Sequence, residues 1–108
     1  MIPARLAPLI RIADLLRDRD LAALSAVAQA RQVSLDRLAG LEAEADPDPF
    51  SVGSAQARLR YQVWADQRRA EINPLLARQT LALAEAEDRA RLTLGRAETL
   101  RKLADKPR

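Results

Sequence analysis

Residues Glu44 to Gln56 read EADPDPFSVGSAQ. The stretch holds two of the chain's six prolines, one of its three glycines and its only phenylalanine. Between Pro8 and Pro47 there is no proline, and after Ser54 only Pro74 and Pro107 follow. Gly and Pro are the strongest local breakers of regular structure, so their crowding here marks one chain reversal between two long helical runs. Two helices joined once bury their apolar stripes by pairing antiparallel. The sequence therefore predicts an all-α fold, two long helices forming one antiparallel coiled-coil hairpin over residues 1–108. Helix 1 is expected over about 4–44, the loop over about 45–54 and helix 2 over about 54–105. Ser54 suits the N-cap of helix 2, where its hydroxyl can accept an orphan backbone N–H. Both termini then lie at one end of the hairpin and the Phe50 loop at the other.

Composition agrees. Aromatic residues make up 3% of the chain and charged residues 31%. A compact globular core needs more large side chains than this, whereas Ala-rich, charge-rich chains with helical periodicity read as coiled coils. No cysteine and no histidine occurs, which excludes disulfides, Cys/His zinc sites and histidine acid–base chemistry; no cofactor is implied. The longest uncharged run, Leu21 to Ala30, spans ten residues, too few to cross a bilayer. Arg5, Arg11 and Asp14 break up the apolar N-terminus, so it does not read as a signal peptide, and the expected setting is the cytoplasm. Net charge is +3, with six Arg against eight acids in residues 1–54 and twelve Lys/Arg against seven in 55–108.

Helix 1 carries an apolar stripe at spacings of three and four, through Leu6, Leu9, Ala13 and Leu16, then Leu24 and Val27, then Leu38 and Leu41. Asp20, Arg31 and Ser34 read as interruptions. In helix 2, Leu76, Leu83, Ala90, Ala97 and Ala104 fall strictly seven apart. Gln79, Ala86, Thr93 and Leu100 take the companion position. Earlier in the helix the stripe reads Leu59, Val63, Ala70 and Ala77, with a shift near Pro74. Glu85–Arg89, Glu87–Arg91 and Glu98–Lys102 place an acid four residues before a base, which supports a helix. Pro74 either kinks helix 2 or, with Asn73 as cap, starts a third helix that folds back. A reversal needs a loop longer than the two residues available, so a kinked, continuous helix is expected.

Chemistry is sparse. Glu85, Glu87 and Asp88 could pair as general acid and base, but arginines follow them at helical spacing and make a solvated face the better reading. The distinctive cluster is RLRYQVWADQRR, Arg58 to Arg69, with the only Tyr and the only Trp. On a helix Tyr61, Trp64 and Arg68 share a face, and Arg60 lies one turn before Trp64. Two readings stay open, a small core knot with arginines stacked on the rings and a protein-docking patch, since Trp, Tyr and Arg dominate interface hot spots. A third, nucleic-acid binding through aromatic and Arg side chains, is opposed by Asp66 and Glu71 within the patch.

These features resemble the FliJ family of flagellar export proteins, related to the YscO-type stalks of injectisomes. RLAPLIRIADLLRDRDLAALSAVAQA (Arg5 to Ala30) is similar to the family's opening pattern. YQVW (Tyr61 to Trp64) resembles its Tyr-Gln-x-aromatic stretch, and RAETLRKLADK (Arg96 to Lys106) its charged C-terminus. The resemblance implies a non-enzymatic antiparallel coiled-coil stalk of a bacterial flagellar type III protein export apparatus. Its partners would be a hexameric export ATPase, an export gate membrane protein and export chaperones, with no nucleic acid and at most a peripheral place at the membrane. Trp64 falls where the family has a gate-contacting aromatic. The implied partner-binding set is Arg60, Tyr61, Trp64 and Arg68 with Leu38 and Leu41. At the paired termini Arg11, Arg101 and Lys102 would contact the ATPase ring. The alternatives are a structural coiled-coil scaffold with no ATPase partner and a basic helical protein associated with nucleic acid.

Overall fold

Ala, Leu, Arg and Gln, all strong helix formers, fill both long segments. The computed structural model describes residues 3–43 and 52–106, and it is helical through nearly all of them. Helix α1 spans Ala7–Ala43 and helix α2 spans Val52–Asp105, with no strand among the described residues. A turn leads into α1, where the Leu6 and Ala7 amides donate to the Pro3 carbonyl at 2.9 and 3.3 Å. Pro8 sits in the first turn, where its missing N–H costs nothing. At the far end of α2 the Lys106 amide donates to the Leu103 carbonyl at 3.4 Å, a tightened i→i+3 turn. Val52 is already helical, two residues before the expected start at Ser54. The rest of the expected loop, Phe50 included, lies outside the described residues.

Pro74 lies inside α2, which continues through it, so Asn73 caps no third helix.

The chain divides into two compact units, a terminal unit of Met1–Ala28 with Leu81–Arg108 and a second unit of Gln29–Thr80. In the terminal unit, α1 turns Ile10, Ala13 and Asp20 inward, with Arg17, Leu24 and Val27 half-buried between and beyond them. These residues alternate by three and four, a heptad seam. From α2 the unit buries Ala86, Ala90, Thr93, Ala97 and Ala104, with Leu83 and Leu100 half-buried. The seven-residue repeat expected for late helix 2 is therefore the seam itself. The pairing is antiparallel, for Arg101 near the end of α2 donates to Asp14 near the start of α1.

The α1 stripe needs correction. Leu9 is 48% exposed, and Leu16 lies outside the seam with it. Asp20 and Arg17 occupy the interior positions instead. A buried carboxylate needs a partner, and Asp20 takes a hydrogen bond from Arg19 Nε at 3.1 Å. The Thr93 hydroxyl is satisfied within its own helix, donating to the Arg89 carbonyl at 3.1 Å.

In the second unit the seam runs through Arg31, Ser34, Leu38 and Leu41 of α1. Tyr61, Ala65, Arg69, Ile72, Leu76 and Gln79 of α2 close it. Polar bonds cross between the helices. Arg31 Nε donates to Thr80 Oγ1 at 3.0 Å, Gln79 Nε2 to the Ala30 carbonyl at 3.3 Å and the Tyr61 hydroxyl to the Leu41 carbonyl at 2.6 Å. Residues 30 and 31 thus meet 79 and 80, while 41 meets 61, which is again antiparallel. Arg31 and Ser34 are members of this seam rather than interruptions, and Asp20 is likewise a member of the terminal one. Leu59 and Val63 are 63% and 54% exposed, and Ala70 and Ala77 are exposed as well, so the expected early stripe of helix 2 is not the packed one. The true register, Arg69, Ile72, Leu76 and Gln79, keeps its repeat across Pro74 without a shift.

Candidate protein-docking site

Within the second unit, α2 presents Tyr61, Trp64 and Arg68 in successive turns, as their spacing of three and four requires. Tyr61 is half-buried, and its hydroxyl is held by the Leu41 carbonyl. Leu41 lies in the last turn of α1, where carbonyls run short of N–H partners. Tyr61 therefore fastens the two helices together. Trp64 packs on it, with ring centroids 5.6 Å apart and planes tilted by 40°, a geometry aromatic pairs favour. The Arg68 guanidinium carbon lies 5.7 Å from the Trp64 ring centroid, inside cation–π range. Arg68 also pairs with Glu71 at 3.0 Å, which holds the guanidinium in place.

Trp64 itself is 46% exposed. It forms one wall of an open groove of about 430 Å³, lined also by Arg37, Leu41, Arg68, Glu71 and Ile72. The groove floor is apolar and its lip carries two arginines and one carboxylate. Such a site can seat an apolar or aromatic anchor and hold a carboxylate beside it.

The two readings of the aromatic cluster are thus divided between its members. Tyr61 is the knot, and Trp64 is the exposed ring. Leu41 is buried in the groove floor and Leu38 is half-buried in the seam. Arg60 is exposed and stands outside the groove. Arg37 was not singled out by the sequence reading. Its signal was its place one position before the seam residue Leu38, on the flank that Arg68 occupies across the seam.

At the termini, Arg101 is engaged with Asp14, which Arg17 also approaches at 3.3 Å. Arg11 and Lys102 are exposed and form no ion pair among the described residues. Glu85, Glu87 and Asp88 are each set against an arginine, at 3.9 Å to Arg89 and at 3.6 and 2.7 Å to Arg91. Among the described residues Glu98 and Lys102 do not pair. No acidic cluster there could hold a metal ion, and no helix among them is long and apolar enough to cross a membrane.

Fold and site together define a lean two-helix coiled coil with an exposed Trp–Arg groove on one unit. Comparison with known proteins finds no matching family model, no matching curated protein and no matching solved structure.

Proposed function

We propose that the chain is a non-enzymatic coiled-coil stalk of a bacterial flagellar type III export apparatus, working in the cytoplasm and at most peripherally at the membrane. Its terminal unit would engage the ring of a hexameric export ATPase, with Arg11 and Lys102 offered outward and Arg101 held by Asp14. Its second unit would dock on the export gate or on export chaperones through Trp64. The action would be mechanical. An asymmetric helix pair biases ring subunits that bind it unequally, and the docking groove relays that bias to the gate.

The observation that carries this reading is the half-exposed Trp64 braced by Tyr61 and Arg68 beside an open groove. A ring held rigid before binding loses little entropy on docking, as a hot-spot anchor should. Glu85, Glu87 and Asp88 stand beside arginines on a solvated face, which favours a structural role for them. A scaffold without an ATPase partner is the rival reading, and it shares the fold.

Trp64 is the only tryptophan, so its fluorescence tests the proposal. Emission should be red in the isolated protein and shift blue when a candidate gate domain or chaperone is added. Trp64→Ala should leave the melting temperature nearly unchanged and weaken that binding by about 2 kcal/mol or more. A protein-protected, blue emission in the free chain would sink the docking role. Failure to bind or stimulate a hexameric export ATPase would leave the scaffold reading in possession.

A further inference from the structure

The terminal unit has a second apolar face that its own seam does not use. Residues immediately before a seam position lie on one flank of an antiparallel pair, and residues immediately after lie on the other. On the first flank, Leu9, Ile12 and Leu16 of α1 meet Arg96 of α2 across a groove of about 220 Å³, floored by Ala13, Thr93 and Leu100. Ile12 is 55% exposed and Leu9 nearly as much. Helix α1 therefore carries two adjoining stripes, the wide apolar face of a helix that packs against more than one neighbour.

Charge divides between the same two flanks. On the groove flank Arg19, Arg89 and Arg96 stand against the single acid Glu85. Two of the three are paired within their own helix, Arg19 with the buried Asp20 at 3.1 Å and Arg89, more loosely, with Glu85 at 3.9 Å. Arg96, which lines the groove itself, forms no ion pair among the described residues. The opposite flank is acidic. There Arg11, Arg91 and Arg101 are outnumbered by Asp14, Asp18, Glu87, Glu98 and Asp105.

We propose that the groove of Leu9, Ile12, Leu16 and Leu100 is the seat of a third helix, an amphipathic partner segment whose leucine stripe is flanked by Asp or Glu. The leucines would fill the groove and the acids would meet Arg96 at its rim, with Arg19 and Arg89 along the same flank, the helix-in-groove mode of recognition. A second copy meeting this face symmetrically would set Arg96 and Arg19 against their own equivalents. Like charges juxtaposed at an interface disfavour that pairing, so the occupant is a different, acidic chain. The site belongs to the terminal unit and shares no residue with the Trp64 groove, and the proposal stands whether or not the stalk reading holds.

The test uses the full chain and a labelled synthetic helix of about 20 residues, with leucine at alternating spacings of three and four and glutamate on both sides of the stripe. A second probe replaces every glutamate by lysine. The glutamate probe should bind about tenfold or more tightly than the lysine probe, and less tightly as salt rises. Arg96→Glu should remove or invert that preference. Ile12→Glu should abolish binding with the helical circular dichroism retained, because Ile12 is already half in solvent. Trp64 emission should stay unchanged throughout, which separates this site from the groove of the second unit. Equal binding of the two probes, or binding of neither, overturns the proposal. So does a concentration-dependent dimer that Ile12→Glu dissolves, since the occupant would then be a second copy.

Discussion

The two units solve one packing problem with different side chains. The terminal unit closes on alanine, with Ala13, Ala86, Ala90, Ala97 and Ala104 all buried and Ile10 the one large buried side chain among its described residues. The second unit closes on Leu41, Ala65 and Ser34, with polar bonds crossing at Arg31–Thr80, Gln79–Ala30 and Tyr61–Leu41. Alanine lets helix backbones approach closely but removes little from water, about 0.8 kcal/mol for each methyl-sized group. Close approach is therefore bought with small area, and it leaves leucines such as Leu9 outside. In the second unit fewer of the described residues are buried, Leu41 the one large side chain among them, and each one matters more. The terminal unit should thus break by enlargement and the second by truncation.

Truncation should give the largest effect. Leu41→Ala removes a buried side chain from the seam and the groove floor together, and should cost about 2–4 kcal/mol. Hydrogen exchange should place the loss in residues 29–43 and 52–80, with protection in the terminal unit largely kept. Equal loss of protection in both units would show that they unfold as one, and the contrast between them would fail.

Enlargement should come next. Ala97→Leu inserts three carbons at a seam position closed off from solvent, Ala97 being 2% exposed. Overpacking of this kind costs about 1–3 kcal/mol, read as a lower midpoint in a denaturant titration. A rise in stability would mean that the alanine ladder is underfilled rather than close-packed.

How far the sequence revealed these seams depends on what fills them. The late helix 2 repeat was legible because Leu76, Leu83, Ala90, Ala97 and Ala104 keep strict sevens and their companions Ala86 and Leu100 are also apolar. In α1 the signal was ambiguous, since two apolar stripes run side by side. Hydropathy favours Leu9 and Leu16, yet the interior register contains Arg17 and Asp20. The alanines opposite leave room for a long aliphatic stem or a small carboxylate, and only the partner helix can reveal that. Early helix 2 misleads for the same reason, because Ala65 and the stem of Arg69 fill slots that hydropathy assigns to Leu59 and Val63. The aromatic cluster was visible from composition alone. Its division into a half-buried fastener and an exposed ring was not, because it rests on the hydrogen bond from Tyr61 to Leu41, twenty residues away.

Pro74 tests the second unit in the opposite direction. It is exposed, within a continuous helix, and a proline there forgoes one backbone hydrogen bond and crowds the preceding turn. Pro74→Ala should raise stability by about 1–3 kcal/mol, a range trimmed below the full penalty of about 3 kcal/mol by the flexibility alanine adds to the unfolded chain. Residual dipolar couplings on both forms would report whether the axis straightens, as a kink requires. A loss of stability would mean that the proline is needed where it stands.

The smallest expected effect returns to the terminal unit and asks whether its outer surface is as unconstrained as its seam is tight. Gly95 lies within α2 two residues before Ala97, exposed, with ordinary helical backbone and no neighbouring atom within 4 Å of where a Cβ would stand. Nothing there calls for glycine's freedom. Gly95→Ala should stabilise the protein by about 0.5–1 kcal/mol, through lower entropy in the unfolded chain and better helix propensity. The substitution adds one methyl, while Ala97→Leu adds three carbons two positions away, and the two should move the denaturation midpoint in opposite directions. If Gly95→Ala destabilises the chain instead, that face is covered in the assembled protein, and the seam is not the only surface on which α2 packs.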